Sequence, residues 1–180
     1  MIDLRSAAGT RVIDPAASTA RFSIDYLAFS RLHGRFGAVE GTIDIDPHDP
    51  ARSRVEASID VTAIDTGIGL RDAHLRSSHF FHASRFPQVT FRSTRVEQLD
   101  EASWSVVGDL TVRDIAREVV LETVYDGHAT GPNGSRATFS ATTTLSRKAF
   151  GLGRHGGGLI VSDLVVVSLE IAAVSPRDAS

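Results

Sequence analysis

Arg71, Asp72 and His74 stand within about one helical turn of each other in the stretch Gly69–Ser78. A guanidinium, a carboxylate and an imidazole at that spacing are the ingredients of acid–base chemistry. The same groups serve equally well to lock a short helix onto neighbouring strands through hydrogen bonds. Tyr26 and His33 add two more side chains that exchange protons, and Arg147 near a strand end either staples strands together or meets an anionic head group. His79 and His82 follow His74 at spacings of five and three, which do not place three imidazoles on one helical face. The chain has no cysteine and no His-Glu-x-x-His pattern, so neither a metal site nor a cofactor is expected. His155 sits in a glycine-rich stretch, Gly153–Gly158, with no Gly-Lys-Ser/Thr after it. A phosphate cradle is therefore not expected there.

The elements that carry these residues are legible from periodicity. The chain has 180 residues, 42% hydrophobic and 23% charged, with a net charge of −3, which suits one domain over 1–180 with its core at about 11–174. That charge gives no general attraction to phosphate backbones, so nucleic acid is excluded as a first reading. No run approaches the ~18 apolar residues of a membrane span. Alternation with a period of two recurs almost throughout. Val55, Ala57, Ile59, Val61 and Ala63 share one face, as do Trp104, Val106, Gly108, Leu110 and Val112, then Phe139, Ala141, Thr143 and Leu145, then Val165, Val167, Leu169 and Ile171. Turn chemistry separates these runs at Asp46–Pro50, Leu99–Glu101, Asp114–Arg117 and Gly131–Gly134.

About eight strands follow: 18–28, 34–46, 53–64, 88–97, 103–113, 117–127, 135–147 and 160–174. Short links make them antiparallel and sequential. A sheet with one apolar face must close on itself or fold over, and strands of ten or more residues favour a tall eight-stranded barrel over a β-sandwich. One segment, 69–78, lacks β-branched residues and predicts a short helix between strands three and four, with an Asp72–Arg76 pair along it. Phe80, Phe81 and Phe86 follow, placed to plug one end. Gly37, Gly41 and Gly108, inside strands, mark curvature of the wall.

Arg71-Asp72-Ala73-His74-Leu75-Arg76-Ser77-Ser78-His79-Phe80-Phe81, followed by Phe86-Pro87-Gln88-Val89-Thr90-Phe91, resembles the signature of the YceI-like family. Gly34-Arg35-Phe36 with Gly41-Thr42-Ile43, Gly108–Arg113, and Leu145–Gly151 match other family pieces in order, so that the resemblance covers about Arg11 to Val174. It implies a lipocalin-like barrel that sequesters a polyisoprenoid or similar lipid, often periplasmic, often a homodimer and not generally enzymatic. The chain departs from the family pattern where Ala17 and Tyr26 replace histidines, where His79 replaces an aspartate and where Asp114 replaces a glycine.

The first functional reading is binding, carriage or storage of a long-chain isoprenoid, quinone or acyl lipid in the barrel. Phe22, Ile24, Tyr26, Phe36, Phe80, Phe81, Phe91, Trp104, Leu110, Phe139 and Arg147 are the candidate ligand contacts. At ~0.8 kcal/mol per buried CH₂, a dozen carbons gain ~10 kcal/mol before entropic costs. The second reading is an enzyme that shapes a hydrophobic intermediate for cyclisation or isomerisation in secondary metabolism, with Tyr26, His33, Arg71 or His74 moving protons. A third is an interaction scaffold with a packed core. The opening Met1-Ile2-Asp3-Leu4-Arg5 has no basic segment followed by an apolar run, so a cytoplasmic protein is expected; a chain already relieved of a leader would read the same and would be periplasmic or secreted.

Overall fold

A computed structural model describes residues 4–27, 29–132, 134–153 and 161–176. Its strands are β1 (Gly9–Ile13), β2 (Thr19–Tyr26), β3 (Ser30–Arg35), β4 (Val39–Ile45), β5 (Arg54–Asp60), β6 (Gln88–Gln98), β7 (Ser103–Val112), β8 (Ile115–Gly131), β9 (Gly134–Ser146) and β10 (Val161–Val174). Among the described residues a single α-helix, α1 (Gly69–Arg76), lies between β5 and β6. Every pairing is antiparallel, and the sheet closes because β1 pairs with β4 on one side and with the end of β10 on the other, through Val12–Val174 and Ile13–Ala173.

These strands make eight staves. β10 carries β1 at its end and β2 along Val161–Glu170, so β1 and β2 are two halves of one stave. β3 and β4 pair with β2 and β1 respectively and form the next. The first stave breaks at the 3-10 turn Pro15–Ala17, where Asp14 accepts from Ala16 N at 3.1 Å. Buried Ser18 bridges that break: its hydroxyl accepts from Ala172 N at 3.0 Å and donates to Ala172 O at 3.3 Å, in place of a ladder rung. The barrel is thus the expected eight-stranded one with its helix between staves three and four. The expected strand at 34–46 in fact begins at Ser30 and breaks at 36–38, and the half-stave β1 precedes the expected 18–28. Both are too short to show periodicity alone.

Local chemistry sets the turns. Asp46 Oδ1 accepts from His48 N and Asp49 N at 2.9 and 3.0 Å, and Asp100 Oδ1 accepts from Ala102 N and Ser103 N at 2.9 and 2.8 Å. These are side-chain-capped turns of the kind aspartate favours. The turn expected at Asp114–Arg117 is tighter. β7 and β8 join through Arg113 and Asp114 alone, with Arg113 at φ 57°, and Ile115 to Arg117 already belong to β8. Alternation fails once beyond β5: Ala63 is exposed and Ile64 is buried, because the chain leaves the ladder at Asp60, whose Oδ1 caps Thr62 N.

Two glycines shape the inner wall. Gly34 faces its cross-strand partner Phe22, and a Cβ there would lie 2.2 Å from the Phe22 ring. At Gly108 a Cβ would meet Arg92 O at 2.4 Å and the Phe91 ring at 2.6 Å, next to the register shift between Ser93 and Arg95. At both sites an aromatic ring occupies the space a side chain would take.

Candidate ligand-binding cavity

The inward faces of the staves do not meet at the centre. They enclose a continuous cavity of about 380 Å³, within the range of small-molecule sites. Along β7 it extends from Trp104 to Val112, about 26 Å at ~3.3 Å per residue. Its wall is almost wholly apolar. Ser53, Arg71, His74, Thr123, Thr143 and Arg147 are the polar side chains on it among the described residues. The rings of Phe22 and Phe36 pack at 4.9 Å between centroids, and Phe36 meets Phe81 edge-on at 5.9 Å.

The helix end of the cavity is held by one threonine. Asp72 accepts from Thr66 N at 2.8 Å and from the Thr66 hydroxyl, while Arg71 Nε and Nη2 donate to Thr66 Oγ1 and Thr66 O, both at 2.7 Å. The Thr66 hydroxyl, then its amide, holds the Asp72 carboxyl below the usual carboxylate range, with Arg76 and Arg71 contributing charge. Asp72 is spent on Thr66; the expected Asp72–Arg76 pair gives way to that contact, and Arg76 donates instead to Ile64 O at 3.4 Å. Exposed His74 stacks edge-on with Phe80 at 5.2 Å and His79 at 5.9 Å, and His82 packs against Phe86. Arg71 and His74 line the cavity, but among the described residues no carboxylate hydrogen-bonds the imidazole.

Arg147 closes the same end. Its guanidinium donates to four backbone carbonyls: Ser162 at 3.1 Å, Leu152 at 3.0 Å, Gly153 at 3.5 Å and Val161 at 3.3 Å. It staples the end of β9 to the start of β10 while its side chain forms part of the wall. Asp163 supports the staple, accepting from Ser146 Oγ at 2.6 Å and Lys148 N at 2.9 Å, and these two bonds in that order lower its pKa.

Ten of the eleven residues expected to meet a ligand line this cavity: Phe22, Ile24, Phe36, Phe80, Phe81, Phe91, Trp104, Leu110, Phe139 and Arg147. Tyr26 does not. It has inward parity, but it ends β2 beside the register shift of β10 between Val161 and Val165, where its partner Val161 and not Tyr26 lines the cavity. His33 is also off the cavity, since it pairs with Ser23 on the outer face between inward Leu32 and Gly34. Tyr26, His33, Arg71 and His74 are therefore not gathered at one place. Of the three phenylalanines placed as a plug, Phe86 stays outside, stacked under Arg85 at 5.2 Å. His155 lies outside the described residues. Thr66, Ser53 and Thr123 are not legible in the sequence, because isolated hydroxyls carry no periodic or motif signal.

The YceI-like domain model matches residues 12–173. The chain belongs to the YceI-like family. Its relatives include the protein YceI of Escherichia coli, 34% identical over 150 residues, which are 83% of this chain and 78% of that one. The crystal structure of the Campylobacter jejuni YceI protein has a TM-score of 0.74 at 26% identity, covering 84% of this chain and 89% of that one. A polyisoprenoid binding domain from Saccharophagus degradans shares the fold at a TM-score of 0.72 and 16% identity, covering 94% and 99%. The YceI-like barrel is thus the lipocalin-like fold seen here, with α1 between its third and fourth staves.

Proposed function

We propose that this YceI-like barrel takes up one long apolar chain, an isoprenoid, quinone or acyl lipid, along its interior. The observation that carries this reading is the apolar cavity running nearly the length of β7 without a polar partition. A core meant only for stability would fill that space, because interiors pack close to crystal density. Support comes also from the polyisoprenoid binding named for the Saccharophagus degradans domain of the same fold.

Uptake here needs no polar chemistry, since each buried methylene contributes ~0.8 kcal/mol. Purified protein examined by native mass spectrometry, with organic extraction in parallel, should carry or take up a prenyl or acyl chain. Ala141→Phe, on the inner face of β9 between Phe139 and Thr143, should fill the lumen and abolish uptake while the barrel stays folded. Protein that takes up no chain of either class would refute the reading.

A further inference from the structure

The two most exposed large apolar side chains among the described residues are Phe29 and Leu70, at 99% and 87%. Exposed Leu27 and Ile68 flank them in the chain. Leu27 and Phe29 belong to the β2–β3 turn, where Phe29 N donates to Leu27 O at 2.7 Å, and Ile68 and Leu70 stand at the start of α1. The segment entering α1 lies along β3 through the Arg35–Asp65 bridge, and Leu75 of α1 packs on the cluster that Leu32 of β3 and Val165 of β10 join. The turn and the helix start therefore rise from neighbouring parts of one rim of the barrel. A lone exposed apolar residue is ordinary, but four at one rim make a patch of the kind that meets a partner.

The cavity reaches the surface at the same rim. Of its described wall residues, only His74 of α1 is exposed. At the opposite end the wall residues Ile45, Ser53 and Trp104 are buried. Buried Ala7 and Tyr125 pack against Ile45 there, and Arg11 ties Ala7 O to Ser135 O. Charge divides in the same direction. The links at the α1 end (61–87, 113–114 and 147–153) carry Arg71, Arg76, Arg85, Arg113, Arg147 and Lys148 against Asp65, Asp72 and Asp114. The segments at the other end (4–8, 46–53 and 99–102) carry Asp46, Asp49, Asp100 and Glu101 against Arg5 and Arg52. A chain of net charge −3 thus turns an excess of cations toward the mouth of its cavity.

We infer that this rim docks on an anionic bilayer surface, so that an apolar chain passes between membrane and cavity beside His74 without crossing water. Phe29 and Leu70 enter the boundary between head groups and acyl chains, and the cations face lipid phosphates. Buried apolar area and attraction to anionic lipid together set such interfacial binding. The docking rests on the lipid-binding reading, and that reading favours a bilayer over a protein partner, because a bilayer is where an isoprenoid, quinone or acyl chain resides.

Flotation with vesicles of phosphatidylcholine, alone or mixed equally with phosphatidylglycerol, tests the docking. The protein should float with the mixed vesicles, weakly with the neutral ones, and less as salt rises. Phe29→Ser combined with Leu70→Ser should lower vesicle partition by at least about tenfold. Neither residue lines the cavity, so the affinity for cis-parinaric acid, a fluorescent acyl chain added from solution, should stay unchanged. Uptake of cis-parinaric acid without flotation on either vesicle would overturn the docking and leave the rim to a protein partner. Equal flotation of the unmutated and doubly substituted proteins would overturn it too. A protein that takes up no cis-parinaric acid would overturn the lipid-binding reading and the docking with it.

Discussion

Adding one methyl group at Gly34 and the same group at Gly108 should separate the wall's contribution to stability from its contribution to binding. In Gly34→Ala the new carbon would sit 2.2 Å from Phe22 Cζ, so the ring must withdraw about 1.3 Å to reach ordinary contact near 3.5 Å. The ring has somewhere to go, because it borders the cavity. Its displacement should cost ~1 kcal/mol, at the low end of overpacking, and most of that is offset by the ~0.4–1 kcal/mol gained on replacing glycine in the unfolded chain. In Gly108→Ala the nearest atom is Arg92 O at 2.4 Å, part of the backbone of β6, with the Phe91 ring behind it. A backbone carbonyl cannot move without disturbing the ladder, so the cost should reach ~3 kcal/mol and leave a net loss of about 2 kcal/mol.

Binding should follow the opposite order. The ring pushed into the lumen at Gly34→Ala displaces one to two methylenes of ligand, about tenfold in affinity. Urea denaturation gives the stabilities, and titration with the fluorescent polyene cis-parinaric acid gives the affinities. If Gly34→Ala binds like the unmutated protein and loses as much stability as Gly108→Ala, the account of the wall is wrong.

Further outcomes can be checked on the same preparations. The depressed native pKa of Asp72 means that its contribution is fully present above its ordinary unfolded value of about 4 and is lost as pH falls through the lower native value. Melting temperature should therefore fall below about pH 4, and Asp72→Asn should flatten part of that acid limb while lowering stability at neutral pH. Asp163→Asn should do the same through the loss of Ser146 and Lys148 as donors to a carboxylate. Arg147→Met leaves the carbonyls of Leu152, Gly153, Val161 and Ser162 without their donor. It should lower stability by ~2–3 kcal/mol in urea titrations, and Arg147→Lys should rescue little, because an ammonium lacks the planar fork. His33→Ala, on the outer face, should leave cis-parinaric acid affinity unchanged; a tenfold loss would place His33 in the site after all.

The inner wall was legible in the sequence because the direction of a strand side chain is set by covalent geometry within a residue or two. Phe22, Ile24, Phe91, Trp104, Leu110 and Phe139 needed no knowledge of the other strands to be placed inside. The helix at Gly69–Arg76 was equally local, a matter of propensity and the absence of β-branching. What depends on other parts of the chain was not legible. Tyr26 has the right parity but lies off the cavity, at the end of β2 beside the register shift of β10. Asp72 and Arg71 spend their hydrogen bonds on Thr66, a residue without any motif, so an apparent acid–base group is a clamp. Arg147 suits both a staple and a head-group contact by sequence, and only the placement of Leu152, Gly153, Val161 and Ser162 around it decided that four of its five N–H donors go to backbone carbonyls. The acid–base grouping of Tyr26, His33, Arg71 and His74 was dissolved because Tyr26 and His33 lie off the cavity wall that Arg71 and His74 share. The indole of Trp104 was placed inside by its own strand, but that its N–H finds no acceptor there was decided by seven other staves.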